Sequence, residues 1–253
     1  VDANELRFEI GAAVTRAISR AARDNQPAMV DRMKIWRDNG LPVKPALRGV
    51  VHQWAFPTAL VAGAALILLA PAGEPRLAAA IYAFSLAAVL GTSAVYHRVN
   101  WSRAGVRSWM RRLDHSMIFL LIAGTVTPFA LLVMDGPLAT ALLVGVWSAA
   151  AAGIILELAW TGAPRWLSAA VYLAVGWIGA VGFPEIWVKA GIGAGALIAL
   201  GGVLYTVGAV VYARQRPDPS PSVFGYHEVF HVLVVAAAAA HFAAIAIYAV
   251  PSG

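Results

Sequence analysis

From residue 50 to the C-terminus the chain is a succession of long apolar stretches, each closed by proline, glycine or charge, and few folds accommodate that pattern. Read with a window of ~19 residues, the sequence predicts helices near 50–70, 77–98, 113–134, 137–160, 165–183, 190–212 and 226–250. At ~1.5 Å per residue each can cross ~30 Å of hydrocarbon, the fifth only just, because it is short at its Pro184 end. Pro71 and Gly73 close the first stretch, Gly136 and Pro137 separate the third from the fourth, and Pro164 opens the fifth. Composition agrees: 60% of residues are hydrophobic and 13% charged, against ~45–50% and ~25% in soluble domains, so lipid has to solvate the excess. The expected fold is all-α, a polytopic seven-helix membrane bundle over residues 45–253 preceded by an extension over 1–44.

The net charge of +6 does not make this a nucleic-acid protein, because the basic residues are confined to short intervals between apolar runs. Their distribution reports topology instead. Nine lie before the first helix, five more (Arg98, Arg103, Arg107, Arg111 and Arg112) between the second and third, and Arg165, Arg214 and Arg216 follow on the same side. Only Arg76 and Lys189 fall opposite. Cytoplasmic loops retain lysine and arginine, which predicts a cytoplasmic N-terminus and, after seven crossings, an outside C-terminus. There is no cysteine, so any metal must sit on histidine, carboxylate or water.

The opening residues VDANELRFEI carry acids before the first arginine and lack the features of a cleavable signal. Leu6, Ile10, Ala13, Val14, Ala17, Ile18 and Ala21 share one helical face, so residues 5–23 fit an amphipathic surface helix or simply a solvated extension.

Ionisable residues inside apolar helices cost ~2.5–3.5 kcal/mol at mid-membrane for Asp, Lys or Arg, so each requires a reason. His97 ends the second helix, Asp114 starts the third, and His227 and His231 start the seventh, all at one depth. His227 and His231 are four residues apart, which puts two imidazoles on one helical face. That spacing also suits two histidines hydrogen-bonded at a membrane interface. Adding His97 supplies the third nitrogen of an open zinc site, whose fourth position takes water. Asp114 could be a fourth ligand, could hydrogen-bond that water, or could pair with Arg111 or Arg112. Ser93, one turn before His97, reaches the same water or simply packs. His115 is expected to meet backbone or a lipid headgroup, and His52, which opens the first helix, to be a boundary residue rather than a group hydrogen-bonded behind the metal ligands, the alternative its position also allows. His241 lies about 15 Å beyond His231, too deep to share the ion. Glu157 is expected near the outer end of the fourth helix, with no basic partner.

The runs SAVYHR (93–98), LDHSMIFLLIAGTVTPFALL (113–132) and GYHEVFHVLVVAAAAAHF (225–242) resemble the bacterial hemolysin III family, which is similar to the progestin and adiponectin receptor proteins and, more distantly, to alkaline ceramidases. The resemblance covers roughly residues 45–250. It implies seven helices with the N-terminus inside, a zinc ion held by His97, His227 and His231, and Ser93 and Asp114 beside the zinc-bound water. Val126 stands where many relatives carry tyrosine, and residues 1–44 have no counterpart. Despite the family's name, nothing in the chain looks like a secreted pore former.

The expected chemistry is metal-dependent hydrolysis of a lipid amide or ester at the cytoplasmic leaflet, with membrane lipids as partners, Asp114 as proton acceptor and Ser93 orienting water or donating to the oxyanion. The alternative is a non-enzymatic lipid-binding or sensing protein clamped by zinc, possible if Asp114 closes the metal shell. Transport would need further ionisable residues across the bilayer, and only Glu157 and His241 are candidates.

Overall fold

Backbone N–H and C=O groups have no water to bond in hydrocarbon, so a chain this apolar satisfies them within helices. The computed structural model describes residues 44–160 and 164–253 and is all-helical among them, apart from one isolated bridge between Ser220 and Phe224. The α-helices are α1 (Val50–Leu69), α2 (Glu74–Arg98), α3 (Ala104–Leu132), α4 (Gly136–Ala159), α5 (Arg165–Ile178), α6 (Phe183–Arg214) and α7 (Tyr226–Ala244). A 3-10 turn, Gly179–Gly182, joins α5 to α6, and a π-helical turn and a 3-10 turn finish the chain. The extension at 1–44, with its candidate surface helix at 5–23, lies outside the described residues except for Lys44.

Six helical runs are long and apolar enough to cross a membrane: 50–69, 74–98, 104–132, 136–159, 166–214 and 226–252. These are the dimensions of a multi-pass membrane protein. The expected fifth and sixth helices are merged into one helical run of 49 residues, where the sequence reading left a gap between 183 and 190. Residues 183–190 are helical, with Pro184 in the first turn, and Glu185 and Lys189, one turn apart, clasp each other and Asp135 at the α3–α4 junction. The run breaks at Gly191, whose φ of +84° and ψ of 172° only glycine adopts without strain. Tyr172 of α5 meets Glu157 at one end of α4, Lys189 meets Asp135 at the other, and Gln215 after α6 reaches Tyr226 at the start of α7. The chain therefore doubles back within this run.

Sequential neighbours pack along the bundle, and α7 returns against α1 as well as α6. Lipid is as apolar as leucine, so close approach of backbones has to hold such helices together. Ala78, Ala79, Ala123, Ala237, Ala244 and Ala249 are fully buried, while Leu68, Leu69, Val61 and Val188 face outward. Gly124 leaves room for Ser85 of α2, and Gly153 of α4 accepts the ring of Phe119. Hydroxyls inside the bundle bond to nearby carbonyls: Thr127 donates to Ala123 O at 2.7 Å, and Ser85 to Tyr82 O at 2.8 Å.

A Cβ at Gly191 would meet no atom within 4 Å, so Gly191→Ala tests the backbone alone. We expect it to destabilise the protein by about 1–3 kcal/mol in thermal unfolding in detergent. Gly202→Ala, equally unobstructed but within regular helix, should be neutral or slightly stabilising.

Candidate metal centre

The start of α7 is fixed by carboxylates, as an N-terminus with unpaired N–H groups favours. Asp218 Oδ1 accepts from Tyr226 N at 2.9 Å, and Glu228 Oε2 from Gly225 N at 2.8 Å. With the first turn held in this way, His227 and His231 point inward one turn apart. His97, in the last turn of α2, meets them: its Nε2 lies 3.2 Å from His227 Nε2. One ligand atom each from His97, His227 and His231 falls within 4.8 Å of the others. All three rings are buried, as are Asp114 and Ser93. Asp114 Oδ2 stands 3.5 Å from His97 Nε2.

Two neutral imidazoles can share one hydrogen bond, but three rings turned on one point leave acceptor lone pairs unused. The Nδ1 of His231 is buried without a partner among the described residues, an unmet need of the kind that a bound ion or water explains. The donor set fits a divalent transition ion: three borderline nitrogens, a carboxylate at their edge and no thiolate. This buried group could hold a metal.

Of the alternatives for Asp114, the arginine pairing is not the one formed with Arg112. That guanidinium donates to Leu158 O at 3.1 Å and lies over Trp109. Three expectations need correction. His115 meets neither backbone nor headgroup, because its Nδ1 is 2.9 Å from Glu157 Oε1. Glu157 is accordingly at the same end of the bundle as the histidines and not at the opposite one. The reason is the antiparallel run of α3 and α4, which sets the last turn of α4 beside the first of the apolar part of α3. Glu157 also accepts from Tyr172 and lines a small cavity of about 130 Å³ between α4 and α5. His52 is no boundary residue: it is 3% exposed and stacks on His231, ring centroids 3.9 Å apart and planes 11° from parallel. His241 stays apart, against Ile198 O.

The segment before and at the start of α1 closes the centre, and the sequence reading gave it no such part. Ala46 and Leu47 donate backbone bonds to Ser222 O and Val223 O, both 3.0 Å. Arg48 Nε then meets the fully buried Glu228 at 2.5 Å. Gly49, at φ +76°, passes so close to His97 that a Cβ would lie 2.5 Å from that residue's own. His52 follows on His231. Glu228 was the available signal: a carboxylate in an apolar helix, between two histidines, needs a cation. Arg48 read only as a topology marker.

Removing one partner of a buried ion pair strands the other. Arg48→Met should therefore destabilise the protein by about 3 kcal/mol, and Arg48→Met with Glu228→Gln should recover much of that loss, as measured by thermal unfolding of the purified proteins.

Residues 42–242 match the family model described as Haemolysin-III related. The chain is 31% identical over 170 residues to the Hemolysin-3 homolog of Bacillus subtilis (strain 168), covering 67% of this chain and 76% of that protein. It is 29% identical over 194 residues to Hemolysin-3 of Bacillus cereus, covering 75% and 85%. The human monocyte to macrophage differentiation factor is 27% identical over 197 residues, covering 77% and 79%. That mammalian similarity accords with the likeness to the progestin and adiponectin receptor proteins seen in the motifs. With four fifths of its length matched, and with the runs 93–98, 113–132 and 225–242 all inside the match, the chain belongs to the haemolysin-III related family.

Proposed function

We propose that this protein is a zinc-dependent hydrolase of a lipid amide or ester, set in the bacterial plasma membrane with its centre at the cytoplasmic face. The observation that carries the reading is the convergence of three buried imidazoles beside one carboxylate, His97 to Asp114 being 3.5 Å. The centre lies at the end of the bundle where the arginines of 98–112 cluster, the side that positive charge marks as cytoplasmic. Seven crossings are supported by the doubling back of the run 166–214, since a straight helix of 49 residues would measure about 74 Å, more than twice the ~30 Å hydrocarbon core of a bilayer.

Zinc, when bound by His97, His227 and His231, supplies Lewis acidity that polarises a carbonyl and acidifies water. Asp114 takes the proton from the attacking water and returns it to the leaving nitrogen or oxygen. Ser93, one turn from His97, donates its hydroxyl to the carbonyl oxygen as negative charge develops there. Burial of all these groups keeps competing water out and strengthens each interaction. A lipid carbonyl, held where headgroup meets chain, arrives at this depth.

The short distance from Asp114 to His97 favours a second reading. If Asp114 closes the shell, the ion clamps α2, α3 and α7 and the bundle binds or senses lipid without catalysis.

His227→Ala or His231→Ala should abolish stoichiometric zinc in the purified protein, whereas Asp114→Asn should keep zinc and lose fatty-acid release from a panel of ceramides and phospholipids. Zinc without release from any lipid in the wild type would favour the clamp, and full zinc in both alanine variants would sink the site. Topology is open to labelling because the chain has no cysteine. In intact cells Ser252→Cys should react with an impermeant maleimide, and Ser102→Cys should react only after lysis.

A further inference from the structure

His52 is as deeply buried as the histidines of the metal group, 3% exposed, yet neither of its ring nitrogens makes a well-formed hydrogen bond among the described residues, where the backbone of His231 comes only within weaker polar reach. Packing alone does not account for this. A phenyl ring would stack on His231 equally well, without two buried polar atoms left short of good hydrogen bonds. Imidazole at this place points to a use for nitrogen.

Stacking restricts what that use is. His52 lies flat on His231 at 3.9 Å and 11°, so its rim runs alongside the rim of a ring whose nitrogen belongs to the metal group. It comes from α1, which contributes none of the three grouped histidines, and Arg48 and Gly49 hold its helix start against Glu228 and His97. A neutral imidazole carries one N–H donor. The groups that face the centre from α2, α3 and α7 include acceptors, in Asp114 and the histidine nitrogens. With one ring nitrogen of each given to an ion, the three grouped histidines would turn their N–H groups away from it, which leaves an incoming acceptor in need of donors such as Ser93 and His52.

We propose that His52 forms a hydrogen-bonding subsite of the metal centre, donating its ring N–H to an acceptor atom bound there: a carbonyl or carboxylate oxygen, or a small anion. The inference rests on the metal reading above, and its residue is distinct from the ligands and from Asp114 and Ser93. His52 thereby orients the acceptor without holding the ion.

The test uses the full-length protein in detergent, loaded with Co²⁺ and titrated with azide, a small acceptor that reports through the cobalt absorption. Wild type and His52→Phe should each hold one Co²⁺ with the same resting spectrum. His52→Phe should bind azide about tenfold more weakly, about 1.4 kcal/mol, and His52→Gln, which restores an N–H donor, should recover part of the affinity. Equal azide affinity in wild type and His52→Phe would overturn the subsite. Loss of Co²⁺ or an altered resting spectrum in His52→Phe would also overturn it, by making His52 part of the metal-holding set. A wild type that takes up no Co²⁺ would instead sink the metal reading, and the subsite with it.

Discussion

Charge and polarity buried in an apolar bundle must be answered from within it, and much of this structure follows from that requirement. Glu228 has no exposed surface, so its carboxylate has to find a cation and a donor, and it finds Arg48 and the N–H of Gly225. The first bond fastens the entry to α1 against α7. The second caps the helix that carries His227 and His231. A single carboxylate thus ties the closing segment of the centre to the helix that supplies two of its three imidazoles.

The same rule accounts for the pair His115 and Glu157, in which His115 follows Asp114 directly in sequence but turns to a different set of partners. Asp114 and His115 are consecutive, so a helix sends them about 100° apart. One faces α2 and the histidine group, the other α4 and α5. Two polar clusters then share one end of the bundle, while the opposite end is held by Asp135, Glu185 and Lys189. Between the ends the helices meet through alanine and glycine, where hydroxyls bond carbonyls one turn away.

His97, Asp114, His227 and His231 were legible as a group because three signals coincide: unfavourable residue types in apolar helices, one turn between the two histidines of α7, and matching depth. The helix order and most boundaries followed from hydropathy in the same way. Gly191 was not legible, because a glycine within an apolar run carries no mark of the φ it will adopt. His52 and Arg48 were misjudged for a different reason. Each sits where a boundary histidine and a cytoplasmic arginine are commonplace, and only their distances to His231 and Glu228 distinguish them.

By itself the sequence determined that this protein is helical and lives in lipid, since an excess of apolar residues in long runs admits no aqueous fold and leaves backbone groups to bond within helices. It also determined which residues needed partners, because the cost of burying charge depends on residue type and surroundings. Who those partners are was decided by tertiary structure alone. Arg48 and Glu228 are 180 positions apart, and His52 and His231 only slightly fewer. Such pairings depend on the order and direction in which helices pack, which a one-dimensional pattern of apolar spacing does not encode.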